Sequence, residues 1–171
     1  MKTLKKTLCV VLAVVMAVGT LAITASATDF ADDADITYKE AVGVLTALGV
    51  IDGTDNNRFD PDGTLTRAQG AKIIAYAVLG PDTAELLRAT SNPFDDVKAS
   101  SWMAGAVSYC VDQGIIAGVG NNNFDPNGTL TGVAFARMLL SALGVEGQFE
   151  NTTAWANNVI LAAERIDLAD G

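Results

Sequence analysis

The sequence predicts an all-α fold of helix-loop-helix repeats, and three observations carry that expectation. The segment Asn56-Asn57-Arg58-Phe59-Asp60-Pro61-Asp62-Gly63-Thr64-Leu65-Thr66 returns 65 residues later as Asn121-Asn122-Asn123-Phe124-Asp125-Pro126-Asn127-Gly128-Thr129-Leu130-Thr131, identical at nine of eleven positions. Upstream of each copy stands a matching run, Gly49-Val50-Ile51-Asp52-Gly53 and Gly114-Ile115-Ile116-Ala117-Gly118. On either side of each copy, apolar residues recur at intervals of three and four, the signature of one helix face. Repeats this short bury their faces only by packing on one another.

Residues 1–27 read as an export signal rather than as part of the fold. Lys2, Lys5 and Lys6 make a basic start, Leu8 to Val18 is continuously apolar, and Ala25-Ser26-Ala27 supplies small residues for cleavage after Ala27. The apolar run is short for a membrane span, so no membrane association is expected after cleavage; a retained N-terminal anchor is the alternative. Cys9 lies inside that run, not at its end, which does not fit lipid attachment.

The first repeat with its connector occupies residues 28–90. Thr37-Tyr38-Lys39-Glu40 has the form of a capping box, and Ala41, Val44, Leu45 and Leu48 follow as an apolar face. Gly49 stands where a left-handed C-cap is needed. In the loop, Asp60-Pro61-Asp62-Gly63 is turn chemistry, with Pro61 presetting φ and Gly63 expected to take a positive one. Phe59, and Phe124 in the second copy, are the only large apolar loop residues and are expected to plug the loops into the helix pairs. Thr66-Arg67-Ala68-Gln69 is a second capping box, opening a helix with Ala71, Ile74, Ala75 and Val78 inward, ended by Gly80-Pro81. The connector from Pro81 to Asn92 has room for a short helix near Ala84 to Arg88. The second repeat, residues 91–148, repeats the plan with Met103, Ala106, Val107 and Cys110, then Phe135, Met138, Leu139 and Ala142. Residues 149–171 give a fifth long helix through Trp155, Val159, Ala162, Ala163 and Ile166, then stop, so a third repeat is expected to be incomplete.

Composition narrows the chemistry. The 171 residues are 50% hydrophobic, contain no histidine and carry a formal charge of −9. Without histidine there is no Ser-His-Asp triad, Cys-His dyad or His-bearing zinc site. The 27-residue signal holds three lysines and no acid, so its removal leaves 8 bases against 20 acids, a net −12. That charge repels nucleic acid and anionic lipid. Cys110 alone then remains, which forbids an internal disulfide and reads as a small buried hydrophobe. The loops fail as calcium sites. With Asp62-Gly63 at positions five and six of an EF-hand, Gln69 stands where the bidentate carboxylate must be, and Ala134 stands there in the second copy. The pairs Asp32-Asp33 and Asp95-Asp96 recur in each repeat, which suits turn or helix-entry roles better than one active site. No catalytic residue, metal or cofactor is expected.

Phe94-Asp95-Asp96-Val97 with Trp102, then Gly114-Ile115-Ile116-Ala117-Gly118, Phe124-Asp125-Pro126 and Leu130-Thr131, together with the first copy and its Thr66-Arg67-Ala68-Gln69, resemble S-layer homology (SLH) motifs. The resemblance covers two motifs and part of a third. It implies a pseudo-threefold helical spindle and non-covalent attachment of an exported protein to cell-wall secondary polysaccharide, often one bearing pyruvate ketals. The second repeat departs from the pattern with Gly132 at the signature arginine, and the first has Tyr38 at the tryptophan position.

Ligand-binding residues expected on this basis are Arg67, Trp102, Tyr38 and Lys72. The Arg67 guanidinium can grip a planar carboxylate through two parallel hydrogen bonds, beside helix-start amides that also favour an anion; the structural alternative is pairing with Asp60 or Asp62. The Trp102 indole can stack on a sugar ring or anchor a core, and Tyr38 is a weaker analogue. Lys72 and Arg137 occupy matching places and assist, or stand as solvated charges. Two further function classes stay open: the anchoring end of a larger exported enzyme or S-layer protein, and a self-associating structural protein.

Overall fold

The computed structural model describes residues 30–145 and 154–166; the expected export signal over residues 1–27 lies outside them. Six α-helices occur among the described residues: α1 (Lys39–Ala47), α2 (Arg67–Leu79), α3 (Pro81–Ala84), α4 (Ala104–Asp112), α5 (Gly132–Ala142) and α6 (Trp155–Glu164). Two short 3-10 helices (Asp33–Asp35 and Asp55–Asn57) and isolated β-bridges accompany them among the described residues, so the helical expectation holds. The connector helix is the single turn α3, a few residues earlier than expected because Pro81 takes the first helical position.

Local chemistry starts the second helix of each unit. Thr66 Oγ1 accepts the Gln69 amide at 3.2 Å while Gln69 Oε1 accepts the Thr66 amide at 2.8 Å, a complete capping box. Thr131 repeats the first half, accepting the Ala134 amide. The box expected at Thr37 does not form. α1 begins at Lys39 with Tyr38 as N-cap, one residue too late for Glu40 to reach back, and no side chain caps it. Lys39 pairs instead with Asp33 at 2.6 Å. Gly49 takes the left-handed conformation expected of it, at φ +67°.

The main core lies between α2, α4 and α5. Ala71, Ile74 and Ala75 meet Ala104, Val107 and Cys110, with Ile115, Phe124, Leu130 and Met138 closing it. The Cys110 thiol donates to the Ala71 carbonyl oxygen at 3.5 Å, and burial pushes its pKa up to about 12, as befits an inert core residue. A smaller cluster joins Leu140 of α5 to Val159 and Ala163 of α6. Leu140 was not on the expected face of α5; it is fully buried because α6 covers that side.

Each unit's first helix therefore lies on the second helix of the unit before it, α4 on α2 and α6 on α5. Among the described residues no helix packs along α1 in this way. The face expected to be buried, Ala41, Val44, Leu45 and Leu48, is correspondingly half-buried or exposed, with Leu48 at 51%. Val42 is buried instead, against Phe30 and Ile36.

Paired acids hold the loops. The buried Asp32 carboxylate accepts the amides of Phe59 and Asp60 at 2.9 and 2.8 Å, and Asp96 accepts those of Phe124 and Asp125 at 2.9 and 2.7 Å. The recurring acids thus have the structural role expected of them. The positive φ falls on Asp60 (+59°) and Asp125 (+57°), not on Gly63. Gly63 is required for space, since a Cβ there would collide with the Asp60 carboxylate. The two plugs also differ: Phe124 is 1% exposed, whereas Phe59 is only half-buried.

These acids make stability depend on pH. Burial alone would raise the Asp32 pKa, but the amides of Phe59, Asp60 and its own residue, with Arg58 nearby, hold it below the ordinary value. At Asp96 burial likewise acts upward, and the amides of Phe124, Asp125 and its own residue, with Arg67, bring it down. A carboxylate with a depressed folded-state pKa contributes stability that is fully present above its unfolded value, about 3.9, and is lost as pH falls through the folded value. The urea midpoint is expected to fall as the pH drops below about 4, and an Asp32→Asn, Asp96→Asn protein should show a shallower slope there. An unchanged slope in that variant would assign the acid sensitivity to other carboxylates.

Candidate functional site

The boundary between the two repeats is knitted by backbone and by Arg67. The Arg67 amide donates to Gly128 O at 2.9 Å, the Ala68 amide to Pro126 O at 3.0 Å, and the Leu130 amide returns to Leu65 O at 2.8 Å. With Gln69 N on Thr66 Oγ1, the first three amides of α2 are all occupied, so this helix start offers no anion site. The Arg67 side chain crosses the same boundary. Its Nε donates to Phe124 O and its Nη2 to Ala117 O, both at 2.8 Å, and its guanidinium carbon lies 4.6 Å from the centre of the Phe124 ring. The structural partners expected for it, Asp60 and Asp62, are replaced by carbonyls of the next repeat.

Arg67 thereby enters a groove of about 520 Å³ in the second unit. Ile115 to Gly118 form its wall, Leu130 and Met138 its apolar floor, Arg137 a second cation and Trp155 an indole from the α6 side. Among the described residues no acid lines it. Burial lowers the Arg67 pKa, Asp125 counters that, Arg137 adds to it, and Asp96 counters again; an arginine so placed stays protonated.

A second groove of about 330 Å³ sits at the equivalent place in the first unit. Val50 to Gly53, Leu65, Gln69, Lys72 and Ile73 line it, each 65 residues before its counterpart in the other groove, and Trp102 stands where Trp155 stands there. Trp102 is 62% exposed, so the core-anchor alternative does not describe it. Among the described residues no arginine lines this groove.

The four residues singled out from the sequence therefore separate. Lys72 and Trp102 share the first groove, Arg67 belongs to the second, and Tyr38 lines neither. Tyr38 is 61% exposed at the start of α1, beside Thr37, Lys39 and Leu45. Arg137 and Trp155 complete the second groove and were underweighted by sequence reasoning. The 65-residue offset puts Arg137 at the place of Lys72, and that signal was present.

The S-layer homology domain profile matches residues 29–71 and 93–136. The chain belongs to the S-layer homology domain family. A cell surface protein of Thermoanaerobacter kivui is 34% identical over 176 residues, covering 100% of this chain and 22% of that protein. A surface layer protein of Brevibacillus choshinensis is 30% identical, covering 99% of this chain and 15% of its own length. A cellulosome-anchoring protein of Acetivibrio thermocellus is 32% identical over 59% of this chain and 22% of its own length. The chain thus spans between 15% and 22% of the length of these three relatives. Both matched S-layer homology segments reach into the second helix of a unit, and the second includes Ile115 to Gly118 and Ala134, which line the groove between Arg67 and Trp155.

Proposed function

We propose that this chain is a non-catalytic wall-attachment module at the cell surface, holding secondary wall polysaccharide without a covalent bond. The observation that carries this is the second-unit groove: two guanidinium groups and an indole, with no acid among the described lining residues, on a chain of formal charge −9. A strongly acidic protein gains little long-range attraction for an anion, so a local cationic cleft must supply the affinity. The sugar best suited to it carries a planar carboxylate, such as a pyruvate ketal. Arg137 and the Arg67 Nη1, which has no hydrogen-bond partner among the described residues, would hold that group while Trp155 covers the ring's C–H face. The cell-surface and anchoring names of the relatives support the same reading. Because those relatives are several times longer, the attachment is proposed to serve a larger exported polypeptide in some contexts.

The test is sedimentation with purified walls, with and without their secondary polymer. Stripping the polymer is expected to abolish binding. Arg137→Gln is expected to weaken it by roughly 30- to 150-fold, the worth of a charge-assisted pair of about 2–3 kcal/mol. Equal binding to stripped walls would sink the proposal.

A further inference from the structure

The two grooves share a plan but not a charge, and the polar differences fall at three corresponding positions. Asp52, Gln69 and Lys72 line the first where Ala117, Ala134 and Arg137 line the second, and Arg67 enters only the second. A ligand carboxylate in the first groove would share it with the exposed Asp52 carboxylate, and the two like charges repel. Among the described residues the one cation there is drawn aside: the Lys72 ammonium lies 4.8 Å from the centre of the Tyr76 ring, and Tyr76 does not line this groove. What remains suits hydroxyl and amide recognition. Asp52 accepts, the Gln69 carbonyl oxygen is taken by the Thr66 amide so that its NH₂ is left to donate, and the Thr54 hydroxyl, donating to Arg58 O, keeps lone pairs to accept. The exposed Trp102 face supplies the apolar platform.

We infer that the first groove binds an uncharged pyranose of the same polymer, while the second alone reads its acidic sugar. This rests on the attachment reading above and refines it: one chain holds two chemically different sugars through two homologous grooves.

Each groove contains one of the chain's two tryptophans, so each can be watched separately. The probes are ketal-bearing wall polysaccharide and the same polymer after mild acid has removed the ketals. Fluorescence of Trp155→Phe reports the first groove through Trp102, and Trp102→Phe reports the second through Trp155. Fluorine NMR of 5-fluorotryptophan in the unaltered sequence gives both signals at once and does not depend on either variant folding. The Trp102 signal is expected to respond equally to both polymers, and the Trp155 signal only to the ketal-bearing one. Asp52→Ala should weaken the Trp102 response about tenfold, the loss of a charged acceptor, and leave Trp155 unchanged. A Trp102 response that disappears with the ketals overturns the inference and leaves wall attachment standing. Silence of both tryptophans toward both polymers overturns attachment itself, and the inference with it.

Discussion

Phe124→Ala is expected to destabilise the protein by about 3–5 kcal/mol, the largest effect of any single truncation here. The ring is 1% exposed, packs on Phe94 with centroids 5.5 Å apart, and carries the Arg67 guanidinium on a face. Removing it leaves a cavity under a loop pinned by Asp96 and Arg67, so the walls cannot collapse to fill it. Phe59→Ala should cost roughly half as much, since Phe59 is only half-buried and touches Phe30 in a smaller cluster. Urea unfolding of both variants decides the matter. Equal losses would mean that burial does not set the difference.

Arg67→Ala is expected to lose about 3 kcal/mol of stability, and wall binding besides. A part-buried hydrogen bond to Phe124 O, worth about 1.5 kcal/mol, and an exposed one to Ala117 O, worth about 0.5–1 kcal/mol, disappear together with the contact to the Phe124 ring. A thermal midpoint lowered by roughly 10 °C follows for a domain of this size. Arg67→Lys keeps a cation but not the fork that reaches two carbonyls at once, and should recover only part of the loss. Because Arg67 both ties the repeats and faces the groove, its binding phenotype must be compared at a temperature where the variant is folded. A coupling near 1 kcal/mol between Arg67→Ala and Phe124→Ala is expected in a double-mutant cycle. Additive losses would show that the two side chains act independently.

Much of this architecture was legible in the residues because its signals are local. Thr66-Arg67-Ala68-Gln69 caps a helix from within itself, Gly49 ends one from its own φ, and the Phe-Asp-Pro loops announce their copies by identity. What misled were contacts made by the neighbouring unit. Leu45 and Leu48 have helical spacing, yet spacing cannot say whether a helix arrives to cover them. Arg67 reads as the first unit's ligand arginine, yet its fork closes on Phe124 and Ala117 of the second. The turn offered both an aspartate and a glycine for its left-handed residue; the Asp32 carboxylate, gripping the Asp60 amide from 28 positions away, accompanies the choice of the aspartate.

The offset between repeat and groove has a genetic consequence. The Arg67 groove takes one of its two cations from one unit, its wall and the other cation from the next, and its indole from the helix after that. Duplicating or exchanging a unit therefore creates or alters a pocket at its borders rather than within it. A substitution at Arg67 in one copy alters the lining of a groove in its neighbour. For anyone moving this module onto another protein, the transferable piece is a junction with both flanks, and a cut at the sequence boundary between copies would divide the pocket it was meant to carry.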